Sequence, residues 1–130
     1  MKNTILRECL RIAIERNPTH PEWGHYHHFS FIVQANRILE WGINRKGPPL
    51  TQYGYKRFGK LHSETEAFRK AKGILDHGKK FEIVNVRLNR SGDVRLSKPC
   101  KTCYSFLKSV GDCGYVWFTT DVGWARIKII

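Results

Sequence analysis

The sequence predicts an α/β fold built on a mixed five-stranded sheet, and three observations predict it. Apolar residues at helical spacing alternate along the chain with short runs of β-branched and aromatic residues suited to strands. Two of the helical stretches open on metal-ligating side chains, His62-Ser63-Glu64 and Pro99-Cys100-Lys101-Thr102-Cys103. The last two strand-like runs are separated by about four residues, too few for a crossover helix, so they pair antiparallel.

Residues 3–16 read as an amphipathic helix. Ile5, Leu6, Cys9, Leu10, Ile12, Ala13 and Ile14 make a broad apolar face, while Arg7, Arg11, Glu15 and Arg16 lie largely elsewhere. Asn17-Pro18 ends it. Residues 19–28 read as a loop with four histidines, His20, His25, His27 and His28. Three roles stay open there: a second metal site, contact of His28 and its neighbours with a base or phosphate, or a plain surface loop entering a strand. Residues 29–34 and 37–44 form a hairpin whose tight connection is Ala35-Asn36. Asn44 then either faces the pocket or forms a turn before Arg45-Lys46-Gly47-Pro48-Pro49.

Residues 47–60 are irregular and interleave aromatic residues with cations: Tyr53, Tyr55, Lys56, Arg57, Phe58 and Lys60. Aromatic platforms beside positive charge are what a binder of single strands or extruded bases needs. The stretch runs directly into His62, so it is expected to contribute to a pocket rim; the competing reading is a long connection packed by its own aromatics.

A helix over residues 62–76 places Ala67, Phe68, Ala71, Ile74 and Leu75 on one face with Glu64, and it stops near His77-Gly78. A carboxylate on a buried helix face is costly without a partner or a task. Residues 81–88 form a strand, 89–93 a loop or hairpin tip, and 94–96 continue extended. A helix over 99–110 has Pro99 in its first turn and ends at Gly111. On it Cys100 and Cys103 share a face with Phe106, Leu107 and Val110. Strands over 115–120 and 124–130 close the chain, with Cys113 before the first of them.

A catalytic zinc needs three protein ligands and one open position for water. His62, Cys100 and Cys103 supply three. Glu64, two residues from His62, is free to move a proton instead. Both ligand sets lie at helix N-termini, whose dipoles favour thiolate. A closed structural zinc site remains the alternative; it would recruit Cys9, Cys113 or another histidine as fourth ligand.

With H-x-E and P-C-x-x-C together, the chain resembles the cytidine deaminase-like superfamily, from about Phe29 to the end. The resemblance implies a three-layer α/β/α deaminase fold, with the leading helix packed on the central sheet and a zinc site at two helix N-termini. It also implies that Gly42-Ile43-Asn44 is the family's G-x-N, whose Asn44 contacts the substrate sugar, and that the backbone around Ser63 and Pro99 lines the base pocket. The antiparallel final strands look like the cytidine-deaminase and toxin-type branch. The S-W-S tripeptide of vertebrate editing enzymes is replaced here by Leu96-Ser97-Lys98.

The 130 residues, 41% of them hydrophobic, suffice for one domain spanning 1–130. There is no apolar run of membrane-spanning length, and Arg7 and Glu8 interrupt any signal-peptide core, so a cytoplasmic location is expected. Two cysteines assigned to zinc and two free ones, Cys9 and Cys113, suit a reducing compartment. Twenty-three basic residues against 11 acidic ones give a net charge of +12, an attraction to polyanions that says little about fold.

The expected activity is therefore zinc-dependent hydrolysis of cytosine to uracil, with Glu64 as acid and base in turn. The leading substrate is single-stranded DNA, bound by a monomer. The alternative is free cytidine, deoxycytidine or dCMP, acted on by a homo-oligomer. A non-catalytic nucleic-acid-binding protein on a deaminase-derived scaffold is a third possibility, opposed by the intact Glu64 and ligand set.

Overall fold

The computed structural model of the chain describes residues 1–18, 26–46 and 60–130. In chain order the elements are α1 (Asn3–Arg16), β1 (Tyr26–Gln34), β2 (Arg37–Ile43), β3 (Arg45–Lys46), β4 (Lys60–Leu61), α2 (Ser63–Ala71), β5 (Phe81–Asn89), β6 (Val94–Arg95), α3 (Lys101–Val110), β7 (Cys113–Thr120) and β8 (Gly123–Lys128). The main sheet has the order β2-β1-β5-β7-β8, with the short β6 added beside β5. β5 and β7 run parallel, and the other described pairs are antiparallel, β7–β8 among them as expected. β3 and β4 form a separate two-stranded ribbon that the sequence did not suggest.

Strand alternation sends side chains to two packed faces. On one, α1 buries Ile5, Leu6, Cys9 and Ala13 against Phe29, Phe31, Val33, Val84, Val86 and Leu88. On the other, Ala67 and Ala71 of α2 and Phe106 and Leu107 of α3 pack on Ile32, Phe81, Ile83 and Val116. The result is the α/β/α sandwich implied by the resemblance. β1 and β5 are apolar on both sides because helices cover both.

Several boundaries differ from the sequence expectation. β1 begins at Tyr26, so His27 and His28 are strand residues rather than loop residues; they pair with Leu88 and Arg87 of β5, whose length carries the ladder outward. His27 faces α1, fully buried, with its Nδ1 2.6 Å from Asn17 Oδ1, and so ties the end of α1 to the sheet. β7 begins at Cys113, earlier than expected, because Phe81 and Cys113 are already in register. α2 ends at Ala71 rather than at residue 76, and Ile74 is 58% exposed instead of facing the core. Its N–H bonds back to Ala71 O at 2.9 Å, a tightened turn just after Gly73, a poor helix former. Leu75 still reaches the core. Gln34 closes this end: its Nε2 donates to the carbonyls of Asp76 and Lys79, and its Oε1 accepts the Asp76 N–H at 2.8 Å.

The hairpin turn does follow the sequence. Ala35 and Asn36 have φ of 52° and 60°, the left-handed pair that a two-residue turn between twisted strands requires.

Gly42 sets the distance between sheet and α2. A Cβ there would lie 2.6 Å from Ala67 N and 2.9 Å from Ser63 O, both backbone atoms that cannot swing aside. Gly42→Ala is therefore expected to cost about 1–3 kcal/mol through overpacking, read as a lower urea midpoint with an unchanged denaturant slope. A wild-type midpoint would mean that α2 shifts without cost.

Candidate active site

Two crossovers build the site. β2 leads through α2 to β5, and β5 leads through α3 to β7. Because β2, β5 and β7 point the same way, both helices start at the same end of the sheet. His62 is the N-cap residue of α2, and Cys100 is the N-cap of α3. The first turns of the two helices then meet. Pro99 stands before the cap and not in the first turn of α3 as expected. Cys100 itself is extended, with φ −69° and ψ 168°, and its Sγ accepts the Cys103 N–H at 3.4 Å. The sulfur thus fills the capping role that a Ser or Asp oxygen usually takes.

The three candidate ligand atoms lie within 4.8 Å of one another. His62 Nδ1 is 3.5 Å from Cys103 Sγ and 3.9 Å from Cys100 Sγ. Zn–S bonds of about 2.3 Å and Zn–N bonds of about 2.0 Å at tetrahedral angles put N···S edges at roughly 3.6 Å. The donor set and its spacing fit a tetrahedral metal. Among the described residues no fourth His, Cys, Asp or Glu joins this group. Cys9 is buried under α1 on the opposite face, and Cys113 is buried at the start of β7. Neither completes a closed site.

Electrostatics prepares the ligands. Cys103 and then the His62 ring hold the Cys100 thiol down to about 3. In return Cys100 raises the His62 pKa; burial opposes this and the Glu64 carboxylate reinforces it. The exposed Cys100 is thus a thiolate at neutral pH, ready for a metal. Burial pushes the Cys9 and Cys113 thiols up to about 12, with Glu8 and Glu82 respectively adding to it.

Glu64 sits in the first turn of α2, only 6% exposed. Its Oε1 accepts from Ser63 Oγ at 3.1 Å and its Oε2 from Asn85 Nδ2 at 3.3 Å. Ser30 Oγ donates to Asn85 Oδ1 at 2.6 Å and lies 2.8 Å from Ser63 Oγ. Asn85 Nδ2 also reaches the Ser97 carbonyl at 3.2 Å, while Ser97 Oγ donates to the Asn85 carbonyl and lies 2.7 Å from Thr119 Oγ1. All six residues are buried. A buried carboxylate is tolerable when it is satisfied in this way. Ser30, Asn85, Ser97 and Thr119 are absent from the sequence expectation. The available signal was Asn85 itself, a polar residue inside the apolar run Ile83-Val84-Asn85-Val86.

The remaining candidates are dispersed. Ser63 is in the network, and Pro99 precedes Cys100. Asn44 follows β2, and its Oδ1 accepts the His28 N–H at 2.6 Å while its own N–H donates to the His28 carbonyl at 3.0 Å. Its side chain thereby ends the β1–β2 ladder. His28 is half-buried, facing the same side as Ser30. Tyr53, Tyr55, Lys56 and Arg57, together with His20 and His25, lie outside the described residues.

Thiol chemistry checks these assignments. In metal-free protein at about pH 8, a maleimide is expected to modify Cys100 first, with a rate that changes little with pH because the thiolate is already formed. Cys9 and Cys113, protonated up to about 12, should react only on unfolding. Zinc should protect Cys100 and Cys103. Peptide mapping of the adducts reads the order; early labelling of Cys9 or Cys113 would contradict it.

No protein-family model and no curated protein sequence matches the chain. Solved structures do. A cytidine deaminase from Burkholderia pseudomallei superposes with a TM-score of 0.68 at 16% identity, covering 99% of this chain and 94% of that one. A cytidine deaminase from Mycobacterium leprae gives 0.55 at 16% identity, with 95% and 91% covered. The chain has the cytidine deaminase-like fold, and its His62–Cys100–Cys103 group could hold a metal ion.

Proposed function

We propose that the protein is a zinc-dependent hydrolase that converts cytosine to uracil and ammonia, acting on single-stranded DNA. The single observation that carries the chemistry is an open three-ligand group beside a buried, hydrogen-bonded carboxylate. Zinc held by His62, Cys100 and Cys103 would supply an acidified water as nucleophile at neutral pH.

The chain's own residues handle the protons. Glu64 takes one from the water and delivers it to the ring nitrogen as oxygen bonds to C4. It then carries the second to the amine, which leaves as ammonia when the C–N bond breaks. Ser63 Oγ and Asn85 Nδ2, one at each carboxylate oxygen, hold Glu64 in place for both transfers. Asn44 would orient the sugar, and the backbone at Ser63 and Pro99 would line the base.

The polynucleotide preference is supported by the net charge of +12 and by the basic and aromatic residues Tyr53, Tyr55, Lys56 and Arg57 beside the first ligand in sequence. A second reading, deamination of free cytidine, deoxycytidine or dCMP by a homo-oligomer, is favoured by the two structural neighbours, both of them cytidine deaminases.

The zinc-loaded protein should convert cytosine in a single-stranded oligonucleotide, seen as a gain of about 1 Da by mass spectrometry when amine becomes carbonyl. Glu64→Ala should keep its metal and lose turnover by at least about a thousandfold. Turnover by a zinc-loaded Glu64→Ala protein would remove Glu64 from the chemistry. Conversion of dCMP or cytidine alone would replace the polynucleotide by the free-nucleotide substrate.

A further inference from the structure

Strand register brings three basic side chains into one row on the catalytic face. His28 of β1 pairs directly with Arg87 of β5, and Arg87 pairs directly with Arg95 of β6. Directly opposed residues in antiparallel strands point to the same face. That face is the one that carries Glu64. Ser30 and Asn85 form the next pair inward, and Asn85 touches the Glu64 carboxylate. The row is therefore one alternation outward from the reacting centre, about 7 Å along the strands.

Like charges directly opposed across strands destabilise a sheet unless something offsets them. Arg95 has Asp93, 3.8 Å away. For Arg87, no carboxylate among the described residues forms an ion pair. Its guanidinium lies 4.1 Å over the ring of Tyr26, its Nη1 donates to the Leu96 carbonyl at 3.3 Å, and its Nε is buried without a hydrogen bond. Those contacts aim it. The ring holds the guanidinium from one side, and Leu96 anchors it to the segment that continues through Ser97 to Cys100. A part-buried guanidinium held in this way, beside two other basic residues and lacking a carboxylate, has the chemistry of a phosphate receptor.

We infer that His28, Arg87 and Arg95 form a binding row for a phosphate of the nucleotide substrate, with Tyr26 as the platform that orients Arg87. The phosphate is either the diester flanking the target cytosine in a single strand or the monoester of a nucleotide. The inference rests on Glu64 and the His62–Cys100–Cys103 group being the reacting centre.

The test is the affinity of the zinc-loaded full chain for a fluorescein-labelled, cytosine-containing DNA single strand, titrated at several salt concentrations. Arg87→Gln should weaken binding about tenfold. It should also flatten the slope of log affinity against log salt by about 0.7, one phosphate contact on a single strand. Arg95→Gln, on an exposed residue, should flatten the slope in the same sense. Arg87→Lys should keep most of the slope, because it keeps the charge. Competition then separates the sources. Displacement of the labelled strand by dCMP but not by cytidine, lost in Arg87→Gln, identifies a monoester. Discrimination by oligonucleotides only identifies the flanking diester.

Wild-type affinity and slope in the folded Arg87→Gln/Arg95→Gln double variant would overturn the row. So would equal losses in Arg87→Gln and Arg87→Lys with an unchanged slope, which mark a structural role. The two failures are distinguishable. A protein that deaminates cytosine while the double variant binds normally loses only the row. A protein that deaminates nothing while Arg87→Gln still flattens the slope loses only the deaminase reading.

Discussion

The parallel pairing of β5 with β7 is the constraint on which the rest of the molecule depends. Parallel neighbours cannot be joined by a tight turn, so the chain must cross from the end of one strand to the start of the next. It does so through β6 and α3. The connection from β2 to β5 has the same sense and uses α2. Each helix therefore starts where a strand of common direction ends, and the two N-termini arrive together at one edge of the sandwich. In open α/β sheets this end is where ligands collect, because helix dipoles and unpaired N–H groups converge there. His62 and Cys100 are the cap residues of those helices. The ligand group is a consequence of topology as much as of motif.

The price of a charged carboxylate inside the sandwich is met locally. Gly42 lets the backbone of α2 lie against β2, which brings the first turn of the helix down onto Ser30 and Asn85. Without that approach Glu64 would face solvent or a cavity. Asn85 suits its position for a geometric reason. Its amide can donate from one end to Glu64 and Ser97 and accept from Ser30 at the other, whereas an Asp could only accept. The network in turn joins β1, α2, β5 and β7, so the orientation of Glu64 is tied to the packing of the whole sheet.

How much of this was legible follows from sequence separation. The His62–Glu64 and Cys100–Cys103 spacings are local, and helical geometry turns them directly into shared positions. The five main strands and the antiparallel end pair were legible from alternation and loop length. The start of β1 was not, because Tyr26-His27-His28 lacks a strand composition and becomes a strand only by pairing with β5. The end of α2 was not, because Leu75 keeps the apolar period past Gly73 and hides the change of helix to turn. Contacts such as Ser30–Asn85 and Ser97–Thr119 span tens of residues and join small polar side chains, which carry no periodic signal. A polar residue interrupting a run buried on both faces is the one trace they leave.

The two successive pairs along β1 and β5 also divide the electrostatic work. Beside Glu64 the sequence places neutral dipoles, Ser30 and Asn85, and holds the guanidinium groups of Arg87 and Arg95, with His28, one alternation away. A guanidinium in the inner position would repel a divalent metal across a medium of low dielectric and would neutralise Glu64, so that the carboxylate could no longer accept a proton readily. Moved outward, the same charge is nearer to water and meets whatever anion extends from the base. Global charge cannot make this distinction, since a net charge of +12 is compatible with any arrangement. The strand register makes it, because it decides which residues share a row and how far that row stands from Glu64.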